Sequence, residues 1–297
     1  MNVELLAFDS IGVRSMCTFI ETDDMKITID PGISLAPLRY GLPPHRLELE
    51  RLEELAKVIT DRATKSDLIV ITHYHYDHHD LGDAIPFEVY EGKTVLLKDP
   101  EHNINKSQGD FRAPLFLGII REKAEEIEAA DGRIFTFGGT RLEFSKAVFH
   151  GSSSLLGYVI EVMVESNGKR VVHTSDVQGP IYEDQTEFPL RTKPDVVIAD
   201  GPMTYMLGYR YSHENLKASL NNIRRLLRNG LKELVLDHHF LRDLDYQQYL
   251  KGIKEEFPEA RILTAAEYME EENNLLEARR KELYSSEGKV RKEGEDK

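Results

Sequence analysis

Between positions 73 and 80 the chain reads His73-Tyr74-His75-Tyr76-Asp77-His78-His79-Asp80. Four of those side chains, His73, His75, Asp77 and His78, are donors for a divalent metal. In an extended segment residues i and i+2 face the same way, so His73 and His75 point two imidazoles at one ion. Asp77 and His78 follow as the chain turns and reach towards a second. The run before them, Leu68-Ile69-Val70-Ile71, is short and rich in β-branched residues, and reads as a buried strand. A polar loop rich in histidine would account for the composition. It would not account for so many polar groups beside a core, which are costly to place there unless something binds them.

Donor residues recur at three later strand ends. His150 closes Ala147-Val148-Phe149 ahead of the small-residue turn Gly151-Ser152-Ser153-Ser154. Asp176 completes Thr174-Ser175-Asp176 after Val171-Val172-His173. His238 and His239 follow Leu234-Val235-Leu236-Asp237. Taken singly, these are a capping histidine, a turn aspartate and a surface histidine pair. Each stands at a strand end, and what joins them to residues 73–78 is the resemblance those residues carry.

The pattern His73-x-His75-x-Asp77-His78 after an apolar strand resembles the signature of the metallo-β-lactamase fold superfamily. That resemblance implies an α/β fold, a four-layer αββα sandwich of two mixed sheets packed face to face with helices outside. It implies a metal-dependent hydrolase in which His73, His75 and His150 hold one ion. Asp77, His78 and His238 hold the other, with Asp176 bridging. His239 remains an alternative to His238, because Phe240 follows it much as in ribonuclease Z-like members. Imidazole and carboxylate donors without thiolate suit Zn(II), the default, and also Fe or Mn. Asp30, in Asp30-Pro31-Gly32, is either a turn former or a support beside the metal site. His79, Asp237 and Asp200 are candidates for supporting roles, and His173 reads as a core histidine.

Branch within the superfamily is carried by further motifs. Diiron oxygen-reducing members carry Glu where this chain has His75, as hydrolytic members do. Gly157-Tyr158-Val159-Ile160-Glu161 resembles the Gly-Tyr-x-Ile-Glu of ribonuclease Z-like and phosphodiesterase-like members. The His-Thr-x-Gly-His run of glyoxalase-type thioesterases is absent. Over nearly its whole length the chain is similar to a family of archaeal metallo-β-lactamase-fold proteins. The resemblance implies attack by a hydroxide held between two ions, with Asp77 orienting the nucleophile and a loop cation, Lys106 or Arg112, stabilising the developing charge. His213 is placed either as a proton donor or as a surface residue. The expected substrate is a phosphodiester, in RNA or a small nucleotide. A lactone or carboxylic ester is the alternative, and a non-catalytic metal-binding scaffold the third reading.

The surrounding elements must position these groups. Strands read over 3–8, 14–21 and 26–29, and a helix over 47–64 carries Leu49, Leu52, Leu55, Ala56 and Ile59 at helical spacing. After a strand at 94–97, residues 99–114 are polar and without period, a binding loop or lid by length. It contains His102, Asn103, Lys106, Ser107, Gln108 and Arg112. A helix is predicted over 118–130, then a hairpin around Gly138-Gly139. Strands follow at 157–164, 170–173, 195–199 and 233–236. Ser212 caps a helix over 213–228, and further helices read over 245–257 and 265–283 around a short strand at 261–263. Residues 1–284 form one domain and 285–297 a charged tail expected to fray.

The 297 residues carry a net charge of -14, which argues against bulk, non-specific nucleic-acid binding. Cys17 is the only cysteine, so no disulfide framework exists and a reducing, cytoplasmic setting is expected. No run approaches the roughly 18 apolar residues of a membrane span. The expected partners are a small-molecule or RNA substrate and no membrane, with homo-oligomerisation left open.

Overall fold

The computed structural model describes residues 1–295, with side chains through residue 286. The first half of the chain builds one sheet. Strands β1 (Asn2–Phe8), β2 (Met16–Glu21) and β3 (Lys26–Ile29) pair as an antiparallel meander. Helix α1 (Arg46–Lys65) crosses over to β4 (Leu68–Ile71), which pairs parallel with β3 and with β5 (Thr94–Leu97). Helix α2 (Ala113–Ile120) then leads to β6 (Glu126–Ala129), and the six strands lie in the order β1-β2-β3-β4-β5-β6.

The second half builds a seven-stranded sheet. A hairpin, β7 (Ile134–Phe137) and β8 (Thr140–Phe144), is followed by the short ribbon β9 (Val148–Phe149) and β10 (Tyr158–Val159). Strands β11 (Val162–Ser166) and β12 (Lys169–His173) continue antiparallel. Three parallel additions finish the sheet: α3 (Asp184–Thr192) to β13 (Val196–Asp200), α4 (His213–Arg228) to β14 (Glu233–Asp237), and α5 (Gln247–Glu256) to β15 (Arg261–Leu263). Helices α6 (Ala265–Tyr268) and α7 (Leu276–Glu295) close the chain.

Period-two alternation explains the layering. On β12 to β14, Val171, Val196, Ile198 and Val235 face the first sheet and share a core with Ile27, Ile29, Leu68 and Val70. Their neighbours Val172, Val197, Leu234 and Leu236 face outward and pack under Phe188, Ile223, Leu226, Leu250 and Ile253 of α3, α4 and α5. Leu55 and Ile59 of α1, with Phe116 and Ile120 of α2, cover the first sheet. The result is the expected αββα sandwich of two mixed sheets.

Three local expectations need correction. The helix predicted over 118–130 starts and ends earlier, at Ala113–Ile120, and 126–129 is strand β6. Its Glu-rich composition favours helix locally, but a vacant parallel edge beside β5 wins. Charged Glu126 and Glu128 suit an exposed edge strand. The strand expected over 157–164 is broken at 160–161, where Ile160 N–H donates to Thr72 O (3.2 Å) and Glu161 N–H to Ser145 Oγ (2.9 Å). The helix over 265–283 splits into α6 and α7, because Glu270 takes a left-handed φ of 60° and Asn274 N–H is drawn away to Ser10 O (2.7 Å). As for the tail 285–297, backbone helix continues to Glu295, while side chains past 286 and residues 296–297 lie outside the described residues.

Candidate metal centre

Strand ends of both sheets meet along one edge of the sandwich, and the predicted donors converge there. Asp176 Oδ2 is the focus. It lies 2.7 Å from His150 Nε2, 3.7 Å from His238 Nε2, 3.8 Å from His78 Nε2 and 3.9 Å from His73 Nε2. The 2.7 Å approach lacks hydrogen-bond alignment, since His150 Nε2 has no hydrogen-bond partner. Potential donor atoms of His73, His75, His150 and Asp176 all lie within 4.8 Å of one another, as do those of Asp77, His78 and His238. The two sets are those the sequence pairs with separate ions.

Three of the imidazoles, His73, His78 and His238, are aimed by their Nδ1 atoms. His78 Nδ1 is 2.8 Å from Asp30 Oδ2, and His238 Nδ1 is 2.8 Å from Asp9 Oδ2. His73 Nδ1 faces the hydroxyls of Thr72 and Ser175, at 3.3 Å each. Those contacts leave Nε2 turned inward, the arrangement by which outer hydrogen bonds orient metal-binding histidines. Asp30 is the hub. It is fully buried and accepts from Thr72 N–H (2.7 Å) and Thr72 Oγ1 (2.5 Å) as well as facing His78. Gly32 lets this loop come close, for a Cβ there would meet the backbone N of His79 at 2.4 Å. Asp30, Ser175 and His238 all adopt left-handed φ values, 52°, 60° and 57°. Such strain, held at the strand ends that deliver the site, is typical of functional positions.

The two candidates for the last histidine occupy different places. His238 Nε2 faces Asp77 Oδ2 and Asp176 Oδ2, each at 3.7 Å. His239 spends Nδ1 on Asp200 Oδ2 (3.0 Å), also lies 3.1 Å from Asp176 Oδ1, and stacks parallel to Tyr205 at 6.5 Å. His238 groups with Asp77 and His78, and His238 and His239 together group with Asp176, His239 Nδ1 lying between Asp200 and Asp176. Of the other candidates, His79 is buried and tied to His75 O (3.0 Å), and Asp237 accepts from the backbone N–H groups of Ser10, His238 and Ala265. His173 bridges Met16 O and Ser175 N–H inside the core. Arg112 lies over the Tyr76 ring at 4.6 Å. Lys106 and His213 are exposed and are not among the converging donors.

Sequence reading missed Asp9 and Arg242. Asp9 sits in the turn after β1, and an acid at a strand tip is the same signal that singles out Asp30. Arg242 donates from Nε to Asp9 Oδ1 (2.7 Å), and nothing in its neighbours announces a contact 233 residues away in the chain.

Charge follows the same design. Burial pushes Asp9 up, but Arg242 and His238 outweigh it and hold the carboxyl at about 2. Burial likewise opposes ionisation of Asp77, yet His78 and His238 bring it well below the usual carboxylate range. Burial, then neighbouring histidines, push His73 and His75 well down, which favours the neutral form that ligates metal; against burial, Asp30 pushes His78 up and Asp9 pushes His238 well up, so those rings would give up a proton to an ion. Among buried atoms without a hydrogen-bond partner are His73 Nε2, His78 Nε2, both ring nitrogens of His150 and Asp176 Oδ1. Orphaned polar atoms turned towards one another are expensive unless a cation joins them. The residues therefore fit divalent metal.

A sandwich of this topology with such a centre at its edge is the metallo-β-lactamase fold, the architecture of a class of metal-dependent hydrolases. Residues 26–239 match the beta-lactamase superfamily domain. A UPF0282 protein of Sulfurisphaera tokodaii is 48% identical over 291 residues, covering 97% of this chain and 94% of that one. The chain thus belongs to the beta-lactamase superfamily and, within it, to the UPF0282 family. Among solved structures, the metallo-β-lactamase fold protein YhfI of Bacillus subtilis aligns with a TM-score of 0.55 at 15% identity, covering 92% of this chain and 96% of its own. An isothiocyanate hydrolase from Delia radicum gut bacteria gives 0.54 at 17%, covering 85% and 94%. At such identities the likeness is one of fold.

Proposed function

We propose that the protein hydrolyses a phosphodiester, in a small nucleotide or RNA, at a site holding two divalent ions, zinc by the chemistry of the donors. The observation that carries the reading is the single carboxylate oxygen of Asp176 ringed by four histidine Nε2 atoms at 2.7 to 3.9 Å. His73, His75 and His150 would hold one ion, Asp77, His78 and His238 the other, and Asp176 would serve both. Bound there, the ions supply a water acid enough to ionise near neutral pH and positive charge against the developing oxyanion. Asp77, held ionised, accepts a hydrogen bond and so orients the attacking water. Asp9, Asp30 and Ser175 keep the imidazoles aimed. Arg112 lies beside the signature, reaching Tyr74 O at 3.4 Å, and would meet a phosphate oxygen as a planar donor.

The Gly157-Tyr158-x-Ile160-Glu161 run supports phosphodiester chemistry, and the charge of -14 favours a small nucleotide over long RNA. A lactone or carboxylic ester is the second reading. It is favoured by Leu155 and Leu156 in the turn after His150, 81% and 40% exposed, which would suit an apolar substituent. Among the described residues no helix is long and apolar enough to cross a membrane. We take a reducing cytoplasmic setting as part of the proposal, in keeping with the lone, buried Cys17.

The test is turnover of bis-p-nitrophenyl phosphate and of a lactone panel by zinc-, manganese- or iron-loaded protein. Activity on the phosphodiester, abolished by a chelator and lowered at least ~100-fold in Asp176→Ala together with loss of bound metal, is the expected result. An Asp176→Ala protein that kept full metal and full turnover would overturn it. Turnover of lactones alone would move the assignment to the second reading.

A further inference from the structure

Gln108 is neither an imidazole nor a carboxylate, yet it joins the segments that carry three of the candidate donors. It is 1% exposed and opens the single wide π-helical turn Gln108–Arg112. Its own N–H is fixed by Asn105 Oδ1 at 2.9 Å. Its side-chain Oε1 accepts from the N–H of Tyr74, between His73 and His75, at 3.1 Å. Its Nε2 donates to Leu156 O, in the turn after His150, at 2.7 Å, and lies 3.3 Å from His75 Nε2.

The orientation of that amide is dictated by its partners. A backbone N–H requires an acceptor and a carbonyl requires a donor, so oxygen faces Tyr74 and nitrogen faces Leu156. One amide hydrogen is left, and it faces His75 Nε2. That ring nitrogen can accept only when it carries no proton, which is the tautomer that ligates metal. Gly157 makes room for the arrangement: its φ is +97°, and a Cβ there would lie 2.7 Å from Gln108 Nε2.

The geometry points to Gln108 as the positioning residue of the His73–His75–His150 trio. It ties the backbone between the first two histidines to the turn that follows the third. Before an ion binds it also favours the His75 tautomer with Nε2 unprotonated, and an ion taking that lone pair would displace this hydrogen bond while the ties to Tyr74 and Leu156 remain. This assignment rests on the two-ion reading given under Proposed function.

Its test compares wild type, Gln108→Leu and Gly157→Ala in full-length protein. Leucine keeps the volume and removes every hydrogen bond. Equilibrium dialysis against buffered zinc, with metal counted by mass spectrometry, reads each equivalent separately. In the metal-free protein, 15N shifts of the His75 ring report its tautomer, and circular dichroism checks the fold. Two equivalents are expected in wild type. In Gln108→Leu one equivalent should weaken about 10- to 100-fold while the other stays put, and the His75 ring should leave the pure Nδ1–H form. Gly157→Ala should shift both readouts the same way, and supplies the answer if the leucine variant fails to fold. Unchanged affinities and an unchanged His75 tautomer would overturn the assignment. So would equal weakening of both equivalents, which marks a general loss of structure. Wild-type protein that bound no ion would instead overturn the two-ion reading, leaving the tautomer measurement to decide for Gln108.

Discussion

Glu161 shows how much a single side chain can cost when nothing answers it. It is fully buried, and neither carboxyl oxygen has a hydrogen-bond partner. Burial first, and Asp184 second, push its carboxyl well above the usual range, so the folded protein keeps the proton. The unfolded chain releases that proton from about pH 4.3 upward. Above that pH the unfolded state binds fewer protons than the folded one, and stability falls as pH rises until the folded carboxyl itself ionises. Glu161→Gln removes this dependence. Its melting temperature should pull ahead of wild type between about pH 5 and pH 8, by on the order of 1 kcal/mol or roughly 2–4 °C at the upper end. Melting curves that stay parallel across that range would show that Glu161 is ionised, or solvated, in the native state. Asp30 and Asp9 make the opposite case, for their buried oxygens are filled by backbone, hydroxyl, imidazole or guanidinium donors, and they shape the site instead of weakening the fold.

At the scale of elements, the last long helix is fastened to α1 by a fully buried pair. Arg280 of α7 donates from Nε and NH2 to the two carboxyl oxygens of Glu48 in α1, both at 2.7 Å, and from NH1 to Leu42 O at 3.0 Å. Both residues are fully buried. Arg280→Met strands a buried carboxylate and should cost about 3–5 kcal/mol. Adding Glu48→Gln should return most of that loss, because the lone charge is then gone. A denaturant titration of the single and double variants checks this, and a double variant no more stable than Arg280→Met would contradict it. Elements were legible in the sequence wherever their pattern was local. The apolar run Leu68 to Ile71 ending in His73, and Ser212 capping α4, carry their own start and stop signals. Strand β6 was not legible, since its helix-favouring residues become a strand only through pairing with β5. The same division holds for the site. Donors at strand ends could be read from type and position, whereas Asp9, Gln108 and Arg242 owe their roles to contacts that close only in the folded chain.

For the whole molecule, the donors come from both sheets: His73 to His78 follow β4, while Asp176 and His238 follow β12 and β14. A cation gripped from both sides binds the folded state alone and stabilises it by mass action, about 1.4 kcal/mol for each tenfold excess over its dissociation constant. Chelator should therefore lower the melting temperature at neutral pH and added zinc should restore it. The difference should shrink towards pH 5, where imidazoles must give up protons to bind. Melting indifferent to both reagents would mean that the donors hold nothing.

The division of the donors between the two halves also orders events during synthesis. A ribosome that has released only the first sheet exposes His73, His75, Asp77 and His78 but none of the groups that complete either set. The first set is complete once His150 and Asp176 have followed β9 and β12, but the second waits for His238 after β14, so the nascent chain passes most of its translation with its donors only partly assembled.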